Sequence, residues 1–298
     1  MYSKVLVALD GSKLSEAILP HARTLAEKLA VPVELLEVID YDTLMPDNVD
    51  PKQDAMVAQR KTKILEYLNN LAATFHGQSW MDCAVEVGHP EEVIVDHAAA
   101  APDTLVAMTT HGRSGIQRWV LGSVAEKVLH ACRNPLLLFR SVAPTTPAQE
   151  APLKSILVPL DGSELAETVL AHVEELCRKL DLELILVRVF NLPNLYYDET
   201  YTPDEHIWEL IRDETRNYLD GKVKELKARG ILNISAVVVE GFAEEQIIAV
   251  ARERRASLIA ICTHGRSGVR RFVMGSVADR IVRHSGDPVL VIRALDAA

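Results

Sequence analysis

The chain repeats itself, and the repeat limits what it can fold into. Lys4–Ser12 (KVLVALDGS) returns as Ser155–Ser163 (SILVPLDGS), 151 residues further on. Val87–Glu92 (VGHPEE) returns as Glu240–Glu245 (EGFAEE), and the 20 residues Ala107–Glu126 match Ala260–Asp279 at 13 positions, both at an offset of 153. The drift of two residues places a small insertion in the middle of the second copy. Two long units make a tandem duplication, whereas a solenoid stacks shorter and more numerous repeats. Between the copies, residues 141–152 (SVAPTTPAQEAP) hold three prolines and no periodicity, which reads as a short stiff linker. The 298 residues are expected to divide into domains 1–142 and 153–298 joined by 143–152, each long enough for its own core.

Within a copy, short apolar runs alternate with helical periods. Val5–Leu9 reads as a buried strand, and Leu14, Ala17, Ile18, His21, Ala22, Leu25 and Leu29 follow at helical spacing. Val33–Val38 is a second strand. Val57, Ile64, Leu68, Leu71 and Phe75 mark a long helix, Cys83–Val87 a third strand, and Glu91–Ala100 a helix opened by Pro90. Thr104–Met108, the helix Ser123–Ala131 and Leu136–Phe139 complete the copy. Alternation of this kind, with near-continuously apolar strands, predicts a parallel five-stranded sheet covered on both faces: two tandem doubly wound α/β domains.

The formal charge of −10 and pI near 5.5 set an acidic chain against a phosphate backbone, so no nucleic-acid partner is expected. No apolar run approaches the ~18–20 residues of a membrane span, and the N-terminus lacks the apolar stretch of a signal peptide. Cys83, Cys132, Cys177 and Cys262 stand apart, without a C-x-x-C pair, and read as buried thiols of a chain in a reducing cytoplasm. The histidines form no i,i+4 ligand pair and no H-E-x-x-H run, so no protein metal site is expected.

In doubly wound sheets ligands sit beyond the carboxyl ends of the strands, where the strand order reverses. That directs attention to Asp10, Val38 and Thr109 and to their counterparts Asp161, Val189 and Cys262. After the fourth strand come the glycine-bearing Thr110-His-Gly112-Arg-Ser-Gly115 and then Gly122-Ser123-Val124 at a helix start. Glycines admit an anion close to backbone N–H groups, and a helix start offers unpaired donors. Gly112 and Gly122 can hold a polyphosphate from two sides, with a hydroxyl from Ser123. Gly265, Gly275, Ser276 and Val277 repeat the device. A second reading stays open: Ser123-Val-Ala-Glu126 is also a capping box that needs no ligand, and Asp10-Gly-Ser a simple turn and cap. Arg113 and Arg266 suit phosphate because guanidinium keeps its charge and binds oxygens bidentately, or they are plain surface residues. His111 and His264 fit loop-structuring roles. Tyr196, Tyr197, Tyr201 and Trp208 can form a lid over a base or a packing surface.

Together, the Asp ending the first strand and the G-x-x-G, nine residues, G-[ST] spacing resemble the universal stress protein family, twice over. The resemblance implies five parallel strands in the order 3-2-1-4-5 and an adenine-nucleotide site in each copy. By it, Asp10 and Val38 would surround adenosine, and Gly112, Gly122, Ser123 and Val124 the phosphates. Asp161, Val189, Gly265, Gly275, Ser276 and Val277 would do so in the second copy. The motif's first glycine is Thr109 in one copy and Cys262 in the other, a departure that bears on affinity. The cofactor so implied is ATP, or AMP or ADP, with Mg carried on the phosphates.

Three function classes remain: a nucleotide-binding regulator or sensor in the stress response, a weak ATP hydrolase, and a non-binding interaction protein. No G-x-x-x-x-G-K-[ST], H-R-D or D-F-G is present, so dedicated phosphoryl-transfer machinery is not visible and no catalytic residue is assigned. The first class is the expectation. The resemblance also implies that domains pair through the last strand. Leu136–Phe139 and Val289–Ile292 are therefore expected to pair antiparallel within the chain, with both sites off the seam. A homodimer of whole chains would use another surface.

Overall fold

A computed structural model describes residues 2–41, 53–75, 81–110, 121–140, 152–191, 205–255, 257–263 and 274–293. The first copy runs β1 (Lys4–Leu9), a 3-10 turn (Ser15–Ile18), α1 (Leu19–Leu29), β2 (Val33–Asp40), α2 (Gln53–Ala72), β3 (Met81–Gly88), α3 (Pro90–Ala99), β4 (Thr104–Thr109), α4 (Ser123–Ala131) and β5 (Leu136–Phe139). The second runs β6 (Ser155–Pro159), α5 (Glu164–Glu167), α6 (Val169–Leu180), β7 (Glu183–Phe190), α7 (Glu205–Ala228), β8 (Ile234–Glu240), α8 (Ala243–Arg254), β9 (Leu258–Cys262), α9 (Ser276–His284) and β10 (Val289–Ile292).

All ten strands join one sheet in the order β3-β2-β1-β4-β5-β10-β9-β6-β7-β8, so each copy has the 3-2-1-4-5 order. Pairing within a copy is parallel, and β5 meets β10 antiparallel, Leu290 opposite Leu137. The expected seam between the two terminal strands is therefore present. The inner strands β1, β4, β6 and β9 are apolar apart from their end residues because helices cover both of their faces. On one face Leu25, Leu68 and Leu105 belong to the same packed core as Val173, Leu184 and Leu219. On the other, Leu36, Val106 and Val128 share a core with Leu157, Ile259 and Ile281. Each core thus crosses the seam.

The seam also satisfies helix ends. Arg140 Nη1 donates to the Arg283 carbonyl of α9 at 2.9 Å, and its repeat partner Arg293 donates to the His130 and Cys132 carbonyls around the end of α4 at 3.0 and 3.1 Å. A cation at these carbonyls supplies donors that the last helical turn lacks.

Two expectations are corrected. The helical period from Leu14 does not give one helix: a 3-10 turn comes first, and the α-helix begins at Leu19, with Pro20 in its first turn where no N–H is needed. The cysteines are not all buried. Cys132 and Cys177 are, but Cys83 lies on the edge strand β3 and Cys262 at a strand end, both half-exposed. No described helix is long and apolar enough to cross a membrane.

Candidate functional site

Asp10 and Asp161 are held in the same local turn. Gly11 and Gly162 take φ of 78° and 87°, a region open to glycine, which swings the chain back over the carboxylate. Oδ1 of each aspartate then accepts the N–H two residues on, from Ser12 or Ser163, at 2.9 Å. The carboxylate is fixed at the end of the central strand. Ser163, not Asp161, caps the next helix, accepting from the Ala166 N–H at 3.1 Å.

Opposite this turn lies the start of α4. Thr110 continues the strand direction, donating its N–H to the Phe139 carbonyl at 3.0 Å, and its own carbonyl accepts the Gly122 N–H at 2.8 Å. Thr263 and Gly275 repeat both contacts, at 2.9 and 2.8 Å. A Cβ on Gly275 would come within 3.3 Å of the Thr263 carbonyl. The glycine thus lets helix and strand end approach; its φ of −61° is open to any residue.

The capping-box reading fails here. Gly122 and Gly275, with extended backbone, occupy the cap positions, and among the described residues neither helix start has a side-chain cap. Ser123 and Ser276 sit one residue inside, where their hydroxyls cannot play that role. The first helical bond runs from the Glu126 N–H to the Gly122 carbonyl at 2.9 Å. The N–H groups of Ser123, Val124 and Ala125 consequently have no acceptor within the helix.

Between turn and helix start each copy has a cavity, of about 290 and 340 Å³, near the lower end of the ~300–1,000 Å³ range of small-molecule sites. The first is lined by Asp10, Val38, Thr109, Gly122, Ser123 and Val124; the second by Asp161, Val189, Cys262, Gly275, Ser276 and Val277. Both lie between the first and fourth strands of their copy, where the strand order reverses, and no residue of β5 or β10 lines either. Gly112, Arg113, Gly265 and Arg266, with His111, His264, Tyr196, Tyr197 and Tyr201, lie outside the described residues. Trp208, on α7, packs edge-on against Phe190, ring centres 6.4 Å apart.

The sequence profile of the universal stress protein family matches residues 1–140 and again 152–293. The chain belongs to the universal stress protein family. Among curated relatives, a universal stress protein of Methanocaldococcus jannaschii is 29% identical over 144 residues, 47% of this chain and 82% of that one. A putative universal stress protein of Staphylococcus saprophyticus is 31% identical over 145 residues, covering 47% of this chain and 83% of its own. Over nearly full length, the fold is similar to a crystal structure of a universal stress protein from Archaeoglobus fulgidus. The TM-score is 0.70 at 19% identity, with 98% of each chain covered.

Sequence reasoning missed part of this family member's site. Pro90 and Ile94 of α3, with Ala243 and Ile247 of α8, wall the cavities. The Val87–Glu92 repeat flagged that element without giving it a role. It also missed a part-buried pair behind each aspartate: Tyr67 donates to Glu16 at 3.0 Å and Tyr218 to Glu167 at 2.7 Å, each 51 residues apart in sequence. Burial, then the nearby carboxylates, push both phenols well above their usual range. Beside the second cavity Thr168 Oγ1 lies 3.5 Å from Cys262 Sγ.

Proposed function

We propose that the chain is an ATP-binding regulatory protein of the stress response, with one adenine-nucleotide site in each copy. The observation that carries this reading is the duplicated cavity. An aspartate held by its own turn faces an uncapped helix start across an apolar floor, at the same place in both copies. Apolar floor and carboxylate suit a nucleoside, whose base packs on Val38 or Val189 and whose hydroxyls donate to Asp10 or Asp161. Uncapped N–H groups and the hydroxyls of Ser123 and Ser276 suit phosphate oxygens.

Gly112 and Arg113, with Gly265 and Arg266, complete the phosphate side in this reading, and Thr109 and Cys262 form the floor beside it. Mg would be carried by the phosphates rather than by a protein ligand set. ATP occupancy would alter the surface presented to a partner. The same reading divides the chain at 1–142 and 153–298 and places it in the cytoplasm.

Mass spectrometry of nucleotide released on denaturing the purified protein, counted per chain, tests it. In nucleotide-free protein, ATP with Mg at ~100 times its dissociation constant should raise stability by about 2.7 kcal/mol for each site filled. A melting temperature unmoved by millimolar ATP–Mg, together with no released nucleotide, would refute the reading.

A further inference from the structure

The two cavities are built alike, but the charge behind them is reversed. Glu37 of β2 is 3% exposed, and the residue at the same place in β7 is Arg188, 8% exposed. Glu37 stands opposite Leu9 in the β1–β2 register, one residue from Asp10 and one from the cavity-lining Val38. In the second copy the Leu160 N–H bonds the Val187 carbonyl at 2.8 Å, which sets Arg188 beside Leu160, again one residue from the aspartate. Strand alternation turns both side chains away from the cavity, onto the face of Tyr67 or Tyr218. Arg188 lies over the Tyr218 ring at 4.4 Å.

The neighbouring pairs add to the contrast. Glu16 is bridged by Lys13, whose side chain is 70% exposed, whereas Glu167 is bridged by Lys222, 19% exposed, at 2.6 Å. Lys222 stands where the first copy has the buried Leu71. Glu164 replaces Lys13 in the second copy, but it is exposed and solvent screens it. Lys222 is half-buried and taken up by Glu167 and Glu225. At another equivalent pair the exchange runs the other way, with Arg23 buried in the first copy and Glu174 in the second. Among the buried charges of the described residues, Glu16, Arg23 and Glu37 leave the first copy one negative charge, whereas Glu174 and Arg188 cancel in the second, so buried charge favours the second copy by one unit.

We infer that the two sites are unequal toward a polyphosphate, the second copy binding it more tightly, because Glu37 and Arg188 place opposite buried charges behind Asp10 and Asp161. The inference rests on the nucleotide reading above. A unit charge about 10 Å from a phosphate at an effective dielectric of about 20 changes affinity about tenfold. Neutral adenosine should feel almost none of it.

Calorimetry on the full nucleotide-free chain, with ATP–Mg and then with adenosine, tests this. Expected are two ATP classes about tenfold apart, adenosine classes much closer together, and Glu37→Gln tightening only the weaker ATP class. One ATP per chain, with Glu37→Gln admitting a second, is equally in favour. Arg188→Gln, if folded, should weaken the tighter class. Equal ATP sites, or an ATP isotherm unmoved by the near-isosteric Glu37→Gln, would overturn the inference while leaving nucleotide binding intact. Absence of both ATP and adenosine binding would overturn the nucleotide reading, and this inference with it.

Discussion

Leu137 and Leu290 stand directly opposite each other across the junction of the two copies, each 1% exposed. They come from strands that would each be an open, apolar sheet edge in a separate domain. Joined, they make one sheet and let the cores on both of its faces run through the junction.

A charge at either position would be buried without a partner. Leu137→Asp or Leu290→Asp is expected to destabilise the chain by about 3–5 kcal/mol. Urea unfolding followed by far-ultraviolet circular dichroism measures this. Loss below about 1 kcal/mol would mean the junction is not part of the cooperative unit.

Ser123 and Ser276 separate two physical roles. A capping serine replaced by alanine costs ~0.5–2 kcal/mol. Here glycine holds the cap position, so Ser123→Ala and Ser276→Ala should each change stability by less than about 0.5 kcal/mol. ATP affinity should nevertheless fall several-fold to about tenfold with the lost hydroxyl bond. Paired melting and binding titrations decide between the two roles.

How legible all this was depended on range along the chain. Strands β1, β4 and β5 and helix α4 could be read because their signals are local: apolar runs, and glycine and serine at a helix start. The capping residue was misplaced by one position, since Gly122 and Ser123 are both acceptable caps and the choice is made by Thr110, from another element. Tyr67 and Glu16 meet across 51 residues, and no spacing rule links them. Glu37 and Arg188 were hidden differently. β2 also carries Glu34 and Asp40 and β7 also carries Glu183, so neither residue stands out along its strand, and only the alignment of the two copies within one sheet turns them into a comparison.

Gly275→Val probes the approach of helix and strand end. The Cβ would press on the Thr263 carbonyl at 3.3 Å and push the first turn of α9 outward. A loss of about 1–3 kcal/mol in stability, as for other overpacked sites, is expected. ATP binding at the second copy should be lost while the first copy still binds. Undiminished stoichiometry in Gly275→Val would place the phosphates elsewhere.

His21 gives the stability a pH dependence with a defined sign. It lies on α1 against Phe139, ring centres 4.6 Å apart, and burial lowers its pKa from 6.5 to about 4. Burial also lowers the pKa of His172 on α6, whose Nδ1 is 3.1 Å from the Tyr2 hydroxyl. Between pH 6.5 and about 4 the unfolded chain takes up a proton at His21 that the native chain refuses. The contribution is therefore intact above 6.5 and lost as pH falls toward 4, by at most on the order of 3 kcal/mol. His172 acts in the same direction. The urea midpoint should drop between pH 7 and pH 5, and His21→Gln should flatten that drop. An equal slope in the variant would assign the acid sensitivity to His172 or the carboxylates instead.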